Sequence, residues 1–133
     1  MSRKLGAIHV MRNMPHLTLE YTDNLPQFNA DNALLALNKA LVASGQFEEN
    51  DIKSRAVRLG TFLVGTSPQG RGFAHVKLAI LSGRSTETTR ALSESLLQIL
   101  KQICKLHANS HVQLCVEVQD IERELYTRAS IGP

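Results

Sequence analysis

The chain has no long hydrophobic run, almost no cysteine and, past its first residues, no surplus of charge. Its purely apolar stretches are only a few residues long, far short of the about 20 that span a bilayer, so a membrane partner is not expected. The two cysteines, Cys104 and Cys115, fall on a predicted helix and a predicted strand and form neither a C-x-x-C pair nor a zinc spacing. They are expected to be buried thiols in a reducing compartment, the cytoplasm. No cluster of His, Cys, Asp and Glu has metal spacing, and no glycine-rich loop precedes a helix with a nucleotide fingerprint. Gly70-Arg71-Gly72 reads as a turn. The formal charge is +3, from 15 basic and 12 acidic residues. Arg3, Lys4 and Arg12 all precede Met14, which leaves twelve of each sign behind them. A domain so balanced has no basic stripe for nucleic acid.

What is present suits one globular domain. At 133 residues, 43% hydrophobic and 20% charged, the chain is long enough to bury a core unaided. Residues 1–13 hold three basic side chains but neither an apolar signal-peptide core nor a small-residue cleavage site. An organelle address, a disordered arm and a stretch upstream of the true start are the available readings; we favour the last, with residues 1–14 a leader and 15–133 the domain.

Residues 16–21 alternate Leu17, Leu19 and Tyr21 against Thr18 and Glu20, the period of a strand. Asp31 or Asn32 then caps a helix with Leu34, Leu37 and Leu41 at helical spacing, ended by Gly45. Residues 52–64 read as a second strand running into a Ser67-Pro68-Gln69-Gly70 turn. The plan then repeats. Residues 73–81 form a strand, Ser85 caps a long helix carrying Leu92, Leu96, Leu100 or Ile99, and Ile103 to its end near His107, and residues 112–118 form a last strand. The tail from Asp120 reads as helical. An offset of 59 lays His16-Leu17-Thr18-Leu19 over His75-Val76-Lys77-Leu78 and Ala56-Val57 over Cys115-Val116. Two such β-α-β repeats, each with parallel strands joined by a right-handed crossover, make an α/β fold: one mixed four-stranded sheet with two helices on one face. The other face is then uncovered and expected to be rich in Val and Leu, which predicts association with further copies.

Met14-Pro15-His16-Leu17 opens the first strand. Together with Thr22-Asp23-Asn24, Ile52-Lys53-Ser54-Arg55, Phe73 with His75, and Gly83-Arg84-Ser85, it makes the chain resemble the tautomerase superfamily, and within it the 5-carboxymethyl-2-hydroxymuconate isomerases of homoprotocatechuate breakdown. The matches run from Pro15 into the second helix; the last strand and the tail agree in type only. The resemblance implies a homotrimer with active sites near subunit contacts and no cofactor. Its mature chain begins at proline, whose secondary amine is the general base and acid. The physical need is plain, since a proline nitrogen is basic only outside an amide. A free α-amino group titrates at about 7.7 to 8.0, and burial beside cations lowers it toward working pH.

Pro15 and Arg84 are thus the expected catalytic residues, with Lys53, Arg55, Phe73 and His75 binding substrate. Arg84 lies at the positive end of the second helix, a place for an anion, and the matching family arginine clamps a carboxylate bidentately; a plain surface arginine is the alternative. Lys53 and Arg55 share one strand face, but the family has arginine at both positions, so Lys53 replaces a planar fork with a point charge. Arg55 reads equally as a substrate contact or a subunit ion pair, and His75 as a core or interface residue. His16 reads as structural. The substrate class implied is an unsaturated 2-hydroxy di- or tricarboxylate. Two alternatives stay open: a phenylpyruvate-type or 2-hydroxymuconate tautomerase, and a non-catalytic trimeric module that binds a small anion or partner around an internal Pro15.

Overall fold

The computed structural model describes residues 14–105 and 110–133. The leader and the helix end expected near His107 lie outside them. Along the chain run β1 (His16–Thr22), α1 (Ala30–Ala43), β2 (Lys53–Leu59), β3 (Arg71–Leu81), α2 (Thr86–Cys104) and β4 (His111–Ile121), with single 3-10 turns at Glu49–Asp51 and Arg123–Leu125. The sheet order is β2-β1-β3-β4. β1 and β2 are parallel, as are β3 and β4, and the two repeats join through an antiparallel β1–β3 pair.

The expected repeat is visible in the register. His16 faces Ala79, and the offset of 59 carries that pair onto His75 and Glu20, which also face each other. The offset does not hold into the outer strands. His16 pairs with Lys53 but His75 with Cys115, so the equivalent of Lys53 is Cys115, 62 residues on, and the alignment of Ala56 over Cys115 is corrected. The second crossover is longer, because α2 has 19 residues and α1 has 14.

Alternation builds the core. Leu17 and Leu19 of β1 and Ala74, Val76, Leu78 and Ile80 of β3 are buried on one side, against Ala33, Leu37 and Leu41 of α1 and Leu92, Leu96, Leu100 and Cys104 of α2. Ala33, not Leu34, takes the first place in the α1 stripe, and Leu34 packs at its margin. Both helices are capped by a side chain, Asn29 accepting from the Asn32 amide at 3.0 Å and Ser85 from the Thr88 amide at 3.1 Å. The α1 cap therefore precedes the Asp31 or Asn32 expected from sequence.

Three other expectations are corrected. β2 stops at Leu59 rather than Val64, because Gly60 opens a loop closed by the Val64–Ser67 bridge. β4 runs on to Ile121, and only one 3-10 turn follows it. Gly72 is inside β3 rather than in a turn: a Cβ there would sit 2.7 Å from Thr22 Oγ1, the buried hydroxyl that accepts the Phe73 amide at 3.1 Å.

The uncovered face also differs from expectation. Most Val and Leu residues of the strands point to the helices, and the other side carries His16, Thr18 and Glu20 of β1, Arg55 and the exposed Val57 of β2, Phe73, His75 and Lys77 of β3, and Gln113 and Glu117 of β4. It is mostly polar, with Val57 and Phe73 among these groups, rather than rich in Val and Leu as expected. Cys115 is on it and exposed, whereas Cys104 is buried and its thiol pushed up by burial. Among the described residues no helix is long and apolar enough to cross a membrane.

Leu96 is fully buried and Leu35 is 55% exposed. Leu96→Ala is expected to lower unfolding free energy by about 2–5 kcal/mol and Leu35→Ala by less than about 0.5 kcal/mol. Urea denaturation checks this, and equal midpoints for the two variants would remove α2's buried stripe from the core.

Candidate active site

Strand register brings four chain segments to one end of the sheet. Pro15 precedes β1 and its carbonyl accepts the Lys53 amide at 3.1 Å, so the start of β2 lies beside it. Because β3 is antiparallel to β1, its C-terminal end returns here, and the Ser82 amide bonds the Ile121 carbonyl at 2.9 Å, which brings the end of β4 as well. The tail after Ile121 then turns back over this end. Arg123 donates from Nε to the Ser82 carbonyl at 2.8 Å, Tyr126 Oη meets His16 Nε2 at 3.0 Å, and Arg128 reaches Asp51 at 3.4 Å.

Five cations gather around these ends: Lys53, Arg55, Arg84, Arg123 and Arg128. On the uncovered face, Lys53 donates from Nζ to the Asp51 carbonyl at 2.5 Å, and Arg55 donates to His16 Nδ1 at 3.0 Å. On the helix side, Arg84 donates from Nε to Gln46 Oε1 at 3.1 Å, and from its terminal nitrogens to the Leu81 carbonyl at 3.2 Å and the Gln46 carbonyl at 3.3 Å. Its guanidinium carbon stands 4.8 Å over the Phe47 ring. In this structure the fork expected to clamp a substrate carboxylate clamps the loop after α1.

The electrostatics register crowding. Burial lowers the pKa of Lys53, and Arg128 and Arg55 lower it further, against a smaller opposite pull from Asp51. Arg84 is lowered by burial and then by Arg123, with Asp120 opposing. His16 is lowered by burial and then by Lys53 and Arg55. Like charges that depress one another's protonation are relieved by an anion placed among them.

The expected site residues divide. Pro15, Lys53, Arg55 and Arg84 lie at this end, with Pro15 buried just before β1. His75 does not join them. It faces Glu20, four residues along β1 from His16, about 13 Å at the usual strand rise, and lies between Glu20 at 3.6 Å and Glu117 at 3.0 Å. Phe73 is at the far end of β1, beside Thr22 and edge-on to Phe62. Sequence reasoning missed Gln46, Arg123, Tyr126 and Arg128. A lone tail tyrosine and scattered tail arginines carry no periodic signal, and only the return of the tail gives them a place. A groove of about 540 Å³ between α1 and α2, lined among others by Ala40, Ser44, Thr88 and Ser95, holds no titratable side chain and offers no such chemistry.

Pro15 itself follows Met14 in the sequence, and its nitrogen there is an amide.

Comparison with known proteins gives one consistent picture. A family model described as 5-carboxymethyl-2-hydroxymuconate isomerase matches residues 15–131. The 5-carboxymethyl-2-hydroxymuconate Delta-isomerase of Escherichia coli is 27% identical over 114 residues, which is 84% of this chain and 90% of that one. The crystal structure of a 5-carboxymethyl-2-hydroxymuconate isomerase from Deinococcus radiodurans R1 superposes with a TM-score of 0.83 at 30% identity, covering 92% of this chain and 93% of that one. A fused 4-OT symmetric trimer shares the fold at a TM-score of 0.65 and 18% identity, over 80% of this chain and 85% of that one.

Because all three kinds of guanidinium nitrogen of Arg84 bond the protein, Arg84→Ala is expected to destabilise the fold by about 2 kcal/mol, the range of a hydrogen bond to a charged group. Chemical denaturation reads this directly. An unchanged midpoint would mean that Arg84 does not hold the loop at Gln46.

Proposed function

Because the chain belongs to the 5-carboxymethyl-2-hydroxymuconate isomerase family, we propose that it moves a proton within 5-carboxymethyl-2-hydroxymuconate or a close relative among unsaturated 2-hydroxy di- and tricarboxylates, with an N-terminal Pro15 as base and acid. The observation that carries this reading is the gathering of cations in two groups, Lys53 with Arg55 and Arg128 and Arg84 with Arg123, around the strand ends beside Pro15. The family match, which begins at residue 15, supports Pro15 as the head of the working domain.

In this mechanism the leader and Met14 are absent from the working protein, and the Pro15 nitrogen is a secondary amine. Burial and the neighbouring cations disfavour its charged form, which makes it a base near neutral pH. It takes the proton from the substrate's enol hydroxyl, and the electrons move into the conjugated chain as the enol becomes a ketone. The protonated amine then delivers that proton to a carbon further along, so the amine returns neutral and the substrate keeps its composition. Arg55 and Lys53 hold the carboxylates on the uncovered side. Arg84, with its donors committed to Gln46 and Leu81, acts through its charge on the dienolate as it develops. The cycle needs no cofactor or metal, and its setting is the cytoplasm. The likeness to the fused 4-OT trimer supports a homotrimer. Within one subunit Phe73 and His75 lie too far along the sheet to touch the same substrate, so they reach a Pro15 only across a subunit contact.

Two observations favour other readings. Lys53, in place of a planar fork, loosens carboxylate geometry and suits a tautomerase of a smaller substrate such as 2-hydroxymuconate or phenylpyruvate. Pro15 as an amide after Met14 suits a module that binds a small anion without turnover.

Intact-mass spectrometry of untagged protein from its own cells, followed by ultraviolet assay of 5-carboxymethyl-2-hydroxymuconate, 2-hydroxymuconate and phenylpyruvate, decides among them. The expected result is a mass that begins at Pro15 and turnover of the first compound at the highest kcat/KM. A mass beginning at Met1 or Ser2 overturns base catalysis by Pro15 in favour of the anion-binding module.

A further inference from the structure

His16 lies beside Pro15 in sequence but faces the uncovered side of the sheet, across from Lys53 on β2 and Ala79 on β3. Its two ring nitrogens each have a partner. Nδ1 is 3.0 Å from an Arg55 terminal nitrogen, and Nε2 is 3.0 Å from Tyr126 Oη, with the two rings edge-on at 71° and 6.0 Å between centroids. These distances fix a protonation state. A guanidinium only donates, so Nδ1 must accept from Arg55 and carries no proton. The neutral ring then has its proton on Nε2, and Nε2–H donates to Tyr126 Oη. We propose that His16 is a positioning residue: as the neutral Nε2–H tautomer, locked by Tyr126 of the C-terminal tail, it aims the Arg55 guanidinium at the substrate carboxylate.

The relay rests on the substrate reading above for what Arg55 holds, but not for its own geometry. Arg55 without an acceptor has several rotamers open to it. With Nδ1 fixed by β1 on one side and the tail on the other, one of its nitrogens is pinned and the rest of the fork is presented in a single orientation. Protonation of His16 puts a donor on both nitrogens and sets an imidazolium against Arg55, so the pin is lost. The groups that face His16 agree with a neutral ring. β2 offers Lys53 and Arg55, both cationic; β3 offers Ala79, with Lys77 two residues along; the tail offers the Tyr126 hydroxyl, while Arg128 and Asp51 lie beyond Lys53. No carboxylate bonds the ring among the described contacts, and burial together with Lys53 and Arg55 holds its pKa below the usual 6.5. The sign follows. Above pH 6.5 the ring is neutral and the relay intact; as pH falls below that value through the lowered pKa, the ring takes its proton and Arg55 is released.

Two measurements test this on the protein that begins at Pro15. Nitrogen-15 NMR of the imidazoles at pH 7.5 is expected to show His16 as the Nε2–H tautomer and to keep it neutral to a lower pH than a free histidine. An Nδ1–H tautomer, or an imidazolium at pH 7.5, overturns the relay without any reference to turnover. In steady-state assay of 5-carboxymethyl-2-hydroxymuconate, His16→Phe is expected to raise KM about tenfold with little change in kcat, a size typical of one lost charge-assisted hydrogen bond. His16→Asn, whose amide oxygen takes the place of Nδ1, is expected to restore most of the lost affinity, while His16→Gln, which reaches the Nε2 place, does not. The rise of KM in acid is expected in the native protein and absent in His16→Asn. Equal KM for the Phe and native proteins, or rescue by Gln in place of Asn, overturns the proposal. If no carboxylate is turned over while the tautomer is as stated, it is the isomerase reading that falls.

Discussion

The antiparallel ladder between β1 and β3, which sets His16 opposite Ala79 and Glu20 opposite His75, is where two β-α-β units become one sheet. Each unit alone is a pair of parallel strands under one helix, too small to bury both sides of anything. Joined in this register, Leu17 meets Leu78 and Leu19 meets Val76 on the same side, and both helices close over a single core. A slip of one residue would turn every one of these side chains to water, so the hydrophobic pattern and the register enforce each other. Thr22 and Gly72 mark the far end of the same ladder, where a hydroxyl and a missing Cβ let the strands stay close.

The direction of β3 also decides where chemistry can gather. Running against β1, it delivers Leu81, Arg84 and the strand end next to Ile121 to the place where β1 begins, and the parallel partner β2 begins there too. Lys53, Arg55 and Arg128 therefore gather in one group and Arg84 and Arg123 in another at this end, although the five are spread over 76 positions of sequence. Such crowding opposes folding. It is tolerated because Gln46, the Leu81 and Ser82 carbonyls, His16 and Asp51 satisfy the donors one by one.

The tail shows how much a segment without pattern can contribute. Residues after Ile121 have one 3-10 turn, and Leu125 is 81% exposed. Yet Arg123, Tyr126 and Arg128 each fasten to a different part of the sheet end, to Ser82, His16 and Asp51 respectively. Their bonds close loops of 41, 110 and 77 residues, contacts no local rule could anticipate.

The sequence by itself determined the elements, their order and the repeat, because alternation and helical spacing are local properties that burial of one face imposes on neighbouring residues. It also marked Pro15, Arg55 and Arg84, through motifs that survive as short contiguous strings. It did not determine that β2 ends at Leu59, that the uncovered face is mostly polar, that Cys115 is exposed, or that His16 links Arg55 to Tyr126. Those depend on which side of a strand faces the helices and on which distant segments return to the same place. Only the tertiary structure decided that Pro15, Lys53, Arg55 and Arg84 share one end of the sheet while His75 and Phe73 do not, because proximity across strands is set by register and direction, and neither is written in the spacing of residues along one strand.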